Sequence, residues 1–386
     1  MYALILDAEL KSALAAGREL AALGVEVVMA SDYTGAIGFS SRCKKDSFVY
    51  TSPKQSQQLF IADLKNYLQT RVEKPVLMTF SDATYLTVAT FAEELAPHAQ
   101  LKLPNIASRD WVFNKQATYD LARSHKIPTI KEYSLEEEIV FPVVAKPRTS
   151  VSWKSGTGVF GTAEVVFSRP ELERTVQKIL ATTGQTPIIQ AMVVGEEYGV
   201  ELLCDEGKIL TSFVHKRIRS LSPRGGASTV KEELANGSQK EHMMQRAKTL
   251  AEAVNWTGPL MVEFKKDEDL DEIVLMEMNG RFWGSLPLPL AAGVPFVQKY
   301  YELVTGQQLP EVKRTSIART QHLLGDIRWL LLVWFKRDSL RKQLYPKRLS
   351  ATADFFRDTV MTRKDVWSPV DPLPFFKEMV QSIMKK

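Results

Sequence analysis

Glu263 and Glu277 stand in two short apolar runs, 260–265 and 275–281, separated by the acidic stretch 266–272. If the runs pair as an antiparallel hairpin centred near Leu270, Glu263 falls opposite Glu277. Side chains alternate along a strand, so Glu277 and Asn279 share one face, while Met276 and Met278 take the other. Arg281 continues the polar side. Two carboxylates, an amide oxygen and a cation therefore converge on one patch. Such an oxygen set suits Mg²⁺, usually held by one or two carboxylates together with substrate phosphates. A solvated surface hairpin is the plainer reading of the same residues. Against it, both glutamates lie between apolar neighbours, where an unpaired charge is costly to bury. The turn acids Asp267, Glu268, Asp269, Asp271 and Glu272 fit a solvated turn.

Other residues with chemical potential lie upstream. The apolar run 141–145 ends at Lys146, a cation placed to reach into a cleft. Gly156, Gly158 and Gly161 match GxGxxG letter for letter, but a strand-like run, 162–167, follows instead of a helix, so the dinucleotide reading fails. A small-residue loop between strands can still wrap phosphates with its backbone N–H groups; an ordinary flexible hairpin explains it as well. Residues 209–218 alternate, which puts Phe213, His215, Arg217 and Arg219 on one face. The loop 222–228 follows, where Gly225 and Gly226 permit unusual backbone angles.

These residues need elements to position them. Residues 2–6 and 25–30 read as strands, with a helix over 8–23 between them that ends at Gly24. A helix over 56–69, a strand over 75–80 and a helix over 84–95 continue the alternation, which implies a parallel sheet with crossovers. Helices are expected over 108–125, 171–182, 240–254 and 296–305. From Arg314 onward the character changes. Residues 325–337 are apolar and aromatic, with Lys336, Arg337, Arg341 and Lys342 beside them. The segment 325–342 suits a peripheral membrane or partner contact, although such segments more often pack on their own protein.

A chain of 386 residues with 45% hydrophobic and 25% charged residues has enough core for two or three globular domains. The net charge of +5, without a long basic run, favours anionic small ligands over nucleic acid. Cys43 and Cys204 form no CxxC pattern, so a reducing compartment fits. The N-terminus reads as a strand and not as a signal peptide. No stretch approaches the roughly 18 apolar residues of a membrane span. A cytoplasmic location is expected.

Taken in order, residues 106–306 resemble the ATP-grasp superfamily, as in carboxylate–amine ligases, biotin carboxylase and the carbamoyl-phosphate synthetase large chain. The match rests on the whole series: Lys115, Lys146, a small-residue loop, the linker 190–193, an acid at Glu197, then Glu263 and Glu277-x-Asn279-x-Arg281. The resemblance implies an ATP-grasp domain over 106–309, with a lid subdomain at about 126–190. A small doubly wound parallel-sheet domain over 1–105 would precede it, and a mostly helical extension over 310–386 would follow. This mixed α/β and α+β architecture would bind ATP with Mg²⁺ (or Mn²⁺). The lysines Lys115 and Lys146, with Ser155, Gly156 and Gly158 of the loop, would meet the phosphates. Gln190, Met192 and Val193 would read the adenine, and Glu197 the ribose. Glu263, Glu277 and Asn279 would hold the metal, and Arg281 would stabilise developing negative charge. Gln190 departs from the pattern, because many relatives carry an acid there. Arg217, beside the Gly225-Gly226 loop, is the candidate for the carboxylate-substrate side.

The implied activity is activation of a small-molecule carboxylate as an acyl phosphate, with ADP released, for attack by an amine or similar nucleophile. His215 is then a substrate-site or structural residue, since no nucleophile on the protein is needed. A bicarbonate-using carboxylase or carbamoyl phosphate-forming enzyme is the alternative. It is lowered by the lack of a biotin-carrier segment, a glutaminase domain or a second copy of the module in this sequence. A nucleotide-binding scaffold without catalysis is a third reading, and the full acid/acid/Asn/Arg set argues against it. The expected partners are small molecules, with a homodimer as in many relatives.

Overall fold

The computed structural model describes residues 2–154, 156–223, 225–335 and 345–384. Strands Tyr2–Ile5, Glu26–Ser31, Asp46–Val49 and Val76–Met78 form an all-parallel sheet in the order third, second, first, fourth. The first helix, Lys11–Ala22, starts three residues later than its spacing predicts. The reason is Asp7, which turns the chain with φ 56°. Its carboxylate accepts the N–H groups of Phe80 (2.8 Å) and Ser81 (3.0 Å), tying the ends of two strands together. The helix expected over 84–95 begins at Asp82, capped by Ser81, and breaks at Phe91.

The segment 106–125 is two helices, Ile106–Phe113 and Lys115–Ser124, not one. Asn114 stands between them in extended conformation, and its side chain accepts the Gln116 N–H at 3.0 Å. A cap of this kind satisfies a helix N-terminus and starts a new helix. Lys115 thereby becomes the first residue of a helix.

A second sheet runs Glu132–Tyr133, Ile188–Ala191, Val143–Lys146, Glu164–Val166, with helix Arg169–Thr183 packed on it. The small-residue stretch forms its own hairpin, Ser152–Lys154 with Thr157–Val159.

The largest sheet has seven strands. Its order is Glu272–Asn279, Gly258–Asp267, Glu197–Asp205, Lys208–Ser222, Gly225–Glu233, Arg319–Gln321, Arg363–Lys364. The loop expected over 222–228 is thus largely strand, with Gly225 (φ 115°) and Gly226 (φ 105°) in backbone space that favours glycine. On one face, Val200, Leu202, Val262 and Phe264 pack against helices Lys115–Ser124 and Ser238–Ala253. On the other, Leu203, Phe213, Met261, Phe282 and Trp283 share a core with Ala3, Ile5 and Met29 of the parallel sheet. That shared core seats the parallel sheet beside the end of the hairpin carrying the acids.

Residues 310–386 are largely helical, with helices Leu323–Phe335, Arg348–Met361 and Leu373–Met384. They also add the last two strands of the large sheet. Four buried aspartates clamp them down. Asp326 accepts from Arg219 (2.7 and 2.9 Å), Thr229 and Gln321. Asp358 pairs with Arg219 and Arg319. Asp365 pairs with Lys11 (2.6 Å) and Lys231, and Asp371 with Arg18 (2.9 Å). Of the segment 325–342, residues 325–335 are helical and 336–342 lie outside the described residues. Among the described residues, no helix is long and apolar enough to cross a membrane.

Candidate active site

Two antiparallel strands, Gly258–Asp267 and Glu272–Asn279, put Glu263 directly opposite Glu277, as the spacing predicts. Asn279 lies between the two carboxylates: its Nδ2 is 3.2 Å from Glu263 Oε1 and 3.3 Å from Glu277 Oε1. Arg281 donates to Asn279 Oδ1 at 3.2 Å. Its Nε also donates to Asp82 at 2.9 Å, across to the parallel-sheet region. The two carboxylates make a donor set suited to a hard cation, which the Asn279 amide oxygen, here turned to Arg281, would complete by rotating.

Cations surround the acids. Lys115 is 3.5 Å from Glu277, and Arg217 reaches Glu263 at 3.2 Å and Glu197 at 2.6 Å. Lys265 pairs with Glu197 at 3.1 Å. Lys146 is buried and donates to the Tyr119 hydroxyl at 2.6 Å, and Tyr119 in turn donates to the Met276 carbonyl at 2.5 Å.

Burial alone would raise both glutamates. Lys115, Lys146, Asn279 and Arg281 overcome it at Glu277 and hold that carboxyl down to about 2. At Glu263 burial wins over Arg217, and the nearby Glu277 charge adds to it, so Glu263 is raised. Burial lowers Lys146 to about 8, although Glu277 opposes the shift.

These groups line one cleft of about 1320 Å³. Drug-sized ligands occupy roughly 300–1000 Å³, so there is room for a nucleotide and a second substrate. One wall is the linker from Gln190 to Glu197, with Lys115 and Lys146 nearby. Gly225, Gly226, Trp329, Tyr345 and Arg357 also line it.

Comparison with known proteins bears on the fold that holds this cleft. Residues 184–324 match the family model for ATP-grasp in the biosynthetic pathway with Ter operon. The C-terminal section of the carbamoyl phosphate synthase large chain of Methanopyrus kandleri is 23% identical over 182 residues. That match covers 46% of this chain and 32% of that protein. N5-carboxyaminoimidazole synthetase from Staphylococcus aureus superposes with a TM-score of 0.62 at 14% identity, over 88% of this chain and 86% of that one. Biotin carboxylase from Campylobacter jejuni, solved as a β-γ-ATP complex, gives 0.61 at 16% identity, over 81% and 74%. The chain has the ATP-grasp fold, and residues 184–324 match an ATP-grasp family model.

The ATP-grasp fold gathers most of the candidate residues. Lys115, Lys146, Gln190, Met192, Val193, Glu197, Arg217, Glu263 and Glu277 all line the cleft, and Asn279 and Arg281 join them by hydrogen bonds. Met192 already donates its N–H to the Pro142 carbonyl at 3.3 Å. Gln190 is buried, with its side-chain amide beside the Tyr119 hydroxyl.

Two candidates are placed differently from expectation. Gly156 and Gly158 do not line the cleft. Their backbones bond to Gln57 N (3.4 Å) and Lys54 O (2.7 Å) of the parallel-sheet region, and a Cβ on Gly158 would lie 3.1 Å from Lys54 Cα. Arg217 donates to the Gly226 carbonyl at 3.2 Å, and strand register also puts Glu197 directly across from it. Ser155 lies outside the described residues.

Sequence reading passed over Tyr119, Lys265 and Asp82. Tyr119 is four residues after Lys115, on the same helix face, and Lys265 is two after Glu263 on the same strand face. Asp82 leaves no local signal. His215 proves buried, 3.1 Å from buried Glu201. Ser285 also donates to Glu201, at 2.6 Å. That set lies in the core, and a Cβ on Gly199 would come within 2.3 Å of the His215 ring.

Proposed function

We propose that this ATP-grasp chain is an ADP-forming ligase that joins a small-molecule carboxylate to an amine or similar nucleophile. The observation carrying this reading is the pair Glu263 and Glu277, bridged by Asn279 and ringed by Lys115, Lys146, Arg217 and Arg281 in one cleft. A triphosphate with its metal is the ligand whose charges match that ring.

The residues fit ATP on their own chemistry. The buried amide of Gln190, in the cleft wall beside Tyr119, supplies a donor for an adenine acceptor. Lys146 points a cation into a poorly screened site. Glu263, Glu277 and Asn279 would hold Mg²⁺, which when bound supplies neutralisation of phosphate charge. Lys115 and Arg217 now neutralise the two glutamates; they are the cations that would turn to the phosphates. Arg281, fixed by Asp82 and Asn279, stabilises charge at the transferring phosphoryl group.

In the proposed reaction a carboxylate oxygen bonds to the γ-phosphorus as the β–γ bridging oxygen leaves with ADP. The amine nitrogen then bonds to the acyl carbon, phosphate departs, and the amine proton passes to solvent. Positioning and fixed charge suffice for such transfers.

The test is ADP and phosphate release from MgATP by the purified chain, against pools of carboxylates, bicarbonate included, and amines. Hydroxylamine should trap the activated acid as a hydroxamate. Stoichiometric AMP and pyrophosphate would overturn the reading. ADP release that depends on bicarbonate alone would move it to the carboxylase class.

A further inference from the structure

Residues 310–386 carry 16 Lys and Arg against 8 Asp and Glu, while residues 1–309 carry 34 against 37. The fold sharpens this asymmetry. Four of those eight acids, Asp326, Asp358, Asp365 and Asp371, are buried in clamps to Arg219, Lys11, Lys231 and Arg18 in the rest of the chain. Half of the acids are thus buried, and none of the Lys and Arg residues described in the segment is.

The same surface is apolar to an unusual degree. Of 27 large hydrophobic residues exposed among the described residues, 15 fall in this last fifth of the chain. Scattered exposed apolar residues need no explanation, whereas a contiguous set does. On helix Arg348–Met361, Leu349 (80%), Phe356 (60%) and Val360 (84%) are exposed. At 3.6 residues per turn these three fall on one stripe. The buried Ala351 and Asp358 lie on the opposite side, so the stripe faces straight out. Arg348 and Arg357 flank it on either side. Helix Leu373–Met384 repeats the pattern. It packs by Pro374 and Phe375, and Gln381 donates to the Gly35 carbonyl. Leu373, Phe376, Val380, Ile383 and Met384 remain exposed on one face, with Lys377 beside them.

We propose that this basic, apolar outer face docks on an anionic lipid surface. Helices with aromatic and aliphatic residues on one side and Lys or Arg along its edges lie in a bilayer interface, their affinity coming from buried apolar area and attraction to anionic headgroups. Charge complementarity selects an anionic surface.

The test is flotation of the full chain with phosphatidylcholine vesicles, with and without phosphatidylglycerol. Binding is expected only to the anionic vesicles and should weaken as salt rises. Phe356→Ser with Val360→Ser should lower the partition coefficient by roughly tenfold per side chain, with an unchanged melting temperature. Val380→Ser with Ile383→Ser tests the second stripe in the same way. Equal binding to both vesicle types, or to neither, overturns the proposal. So does light scattering that shows a dimer which the same variants dissociate, because the face would then belong to a second copy.

Discussion

Glu263 and Glu277 face one another across a hairpin, yet their carboxyl groups are shifted in opposite directions. The difference is the company each keeps. Glu277 has two lysines, an amide and Arg281 around it, while Glu263 has Arg217 and the like charge of its partner. Glu277→Gln should lower ADP release by roughly 10²–10³-fold, the scale seen when one charge-stabilising group is lost. The melting curve should stay close to wild type. Near-normal turnover at saturating Mg²⁺ would remove the metal assignment.

Lys146 should make nucleotide binding sensitive to alkali. Its folded pKa is about 8, so its charge fades as pH rises through that value and ATP should bind more weakly. Folding responds with the opposite sign. The unfolded chain keeps this proton up to 10.5, so between about 8 and that value the folded chain holds fewer protons and the contribution to stability rises with pH. Calorimetric titration with ATP at several pH values checks the first trend. Lys146→Arg should abolish it, because a guanidinium stays charged.

Gln190→Leu bears on both stability and binding. It removes a buried amide that hydrogen-bonds the Tyr119 hydroxyl, which should lower the unfolding free energy by about 1 kcal/mol. The same change deletes a proposed adenine donor and should weaken ATP binding. An unchanged affinity in the calorimeter would take Gln190 out of the nucleotide site.

Arg281→Ala should abolish hydroxamate trapping while ATP still binds, since the fixed charge acts on the transferring group. Asp82→Asn should give a smaller loss of kcat with little effect on nucleotide affinity. Asp82 holds Arg281 in place and does not line the cleft. A loss confined to KM would contradict the positioning role.

The buried carboxylate of Asp365 answers two lysines, Lys11 and Lys231. Asp365→Ala leaves Lys231 buried without its partner and should cost about 3–5 kcal/mol. Asp365→Leu combined with Lys231→Met should recover most of that loss. Urea denaturation of the three proteins decides it.

Local pattern carried a large part of this protein. The alternation of Glu277, Met278 and Asn279 and the acidic turn at 266–272 were enough to place Glu263 across from Glu277, because a hairpin closes over few residues and its register is set by its turn. The strand-and-helix alternation of the first hundred residues likewise announced a parallel sheet. The helix break at Asn114 was visible in principle, since Asn is a preferred cap, but a single cap residue competes weakly with an unbroken helical pattern. Only the tertiary structure brought Asp82 to Arg281, 199 residues away, and Lys11 and Lys231 to Asp365. It also seated Gly156 and Gly158 on Lys54 and Gln57, and joined strands of two and three residues from the C-terminal segment to the large sheet. Those strands are too short to show a period, and ion pairs between distant elements depend on how whole sheets pack. Periodicity describes which face of an element is apolar; which other face it meets is decided when the cores close.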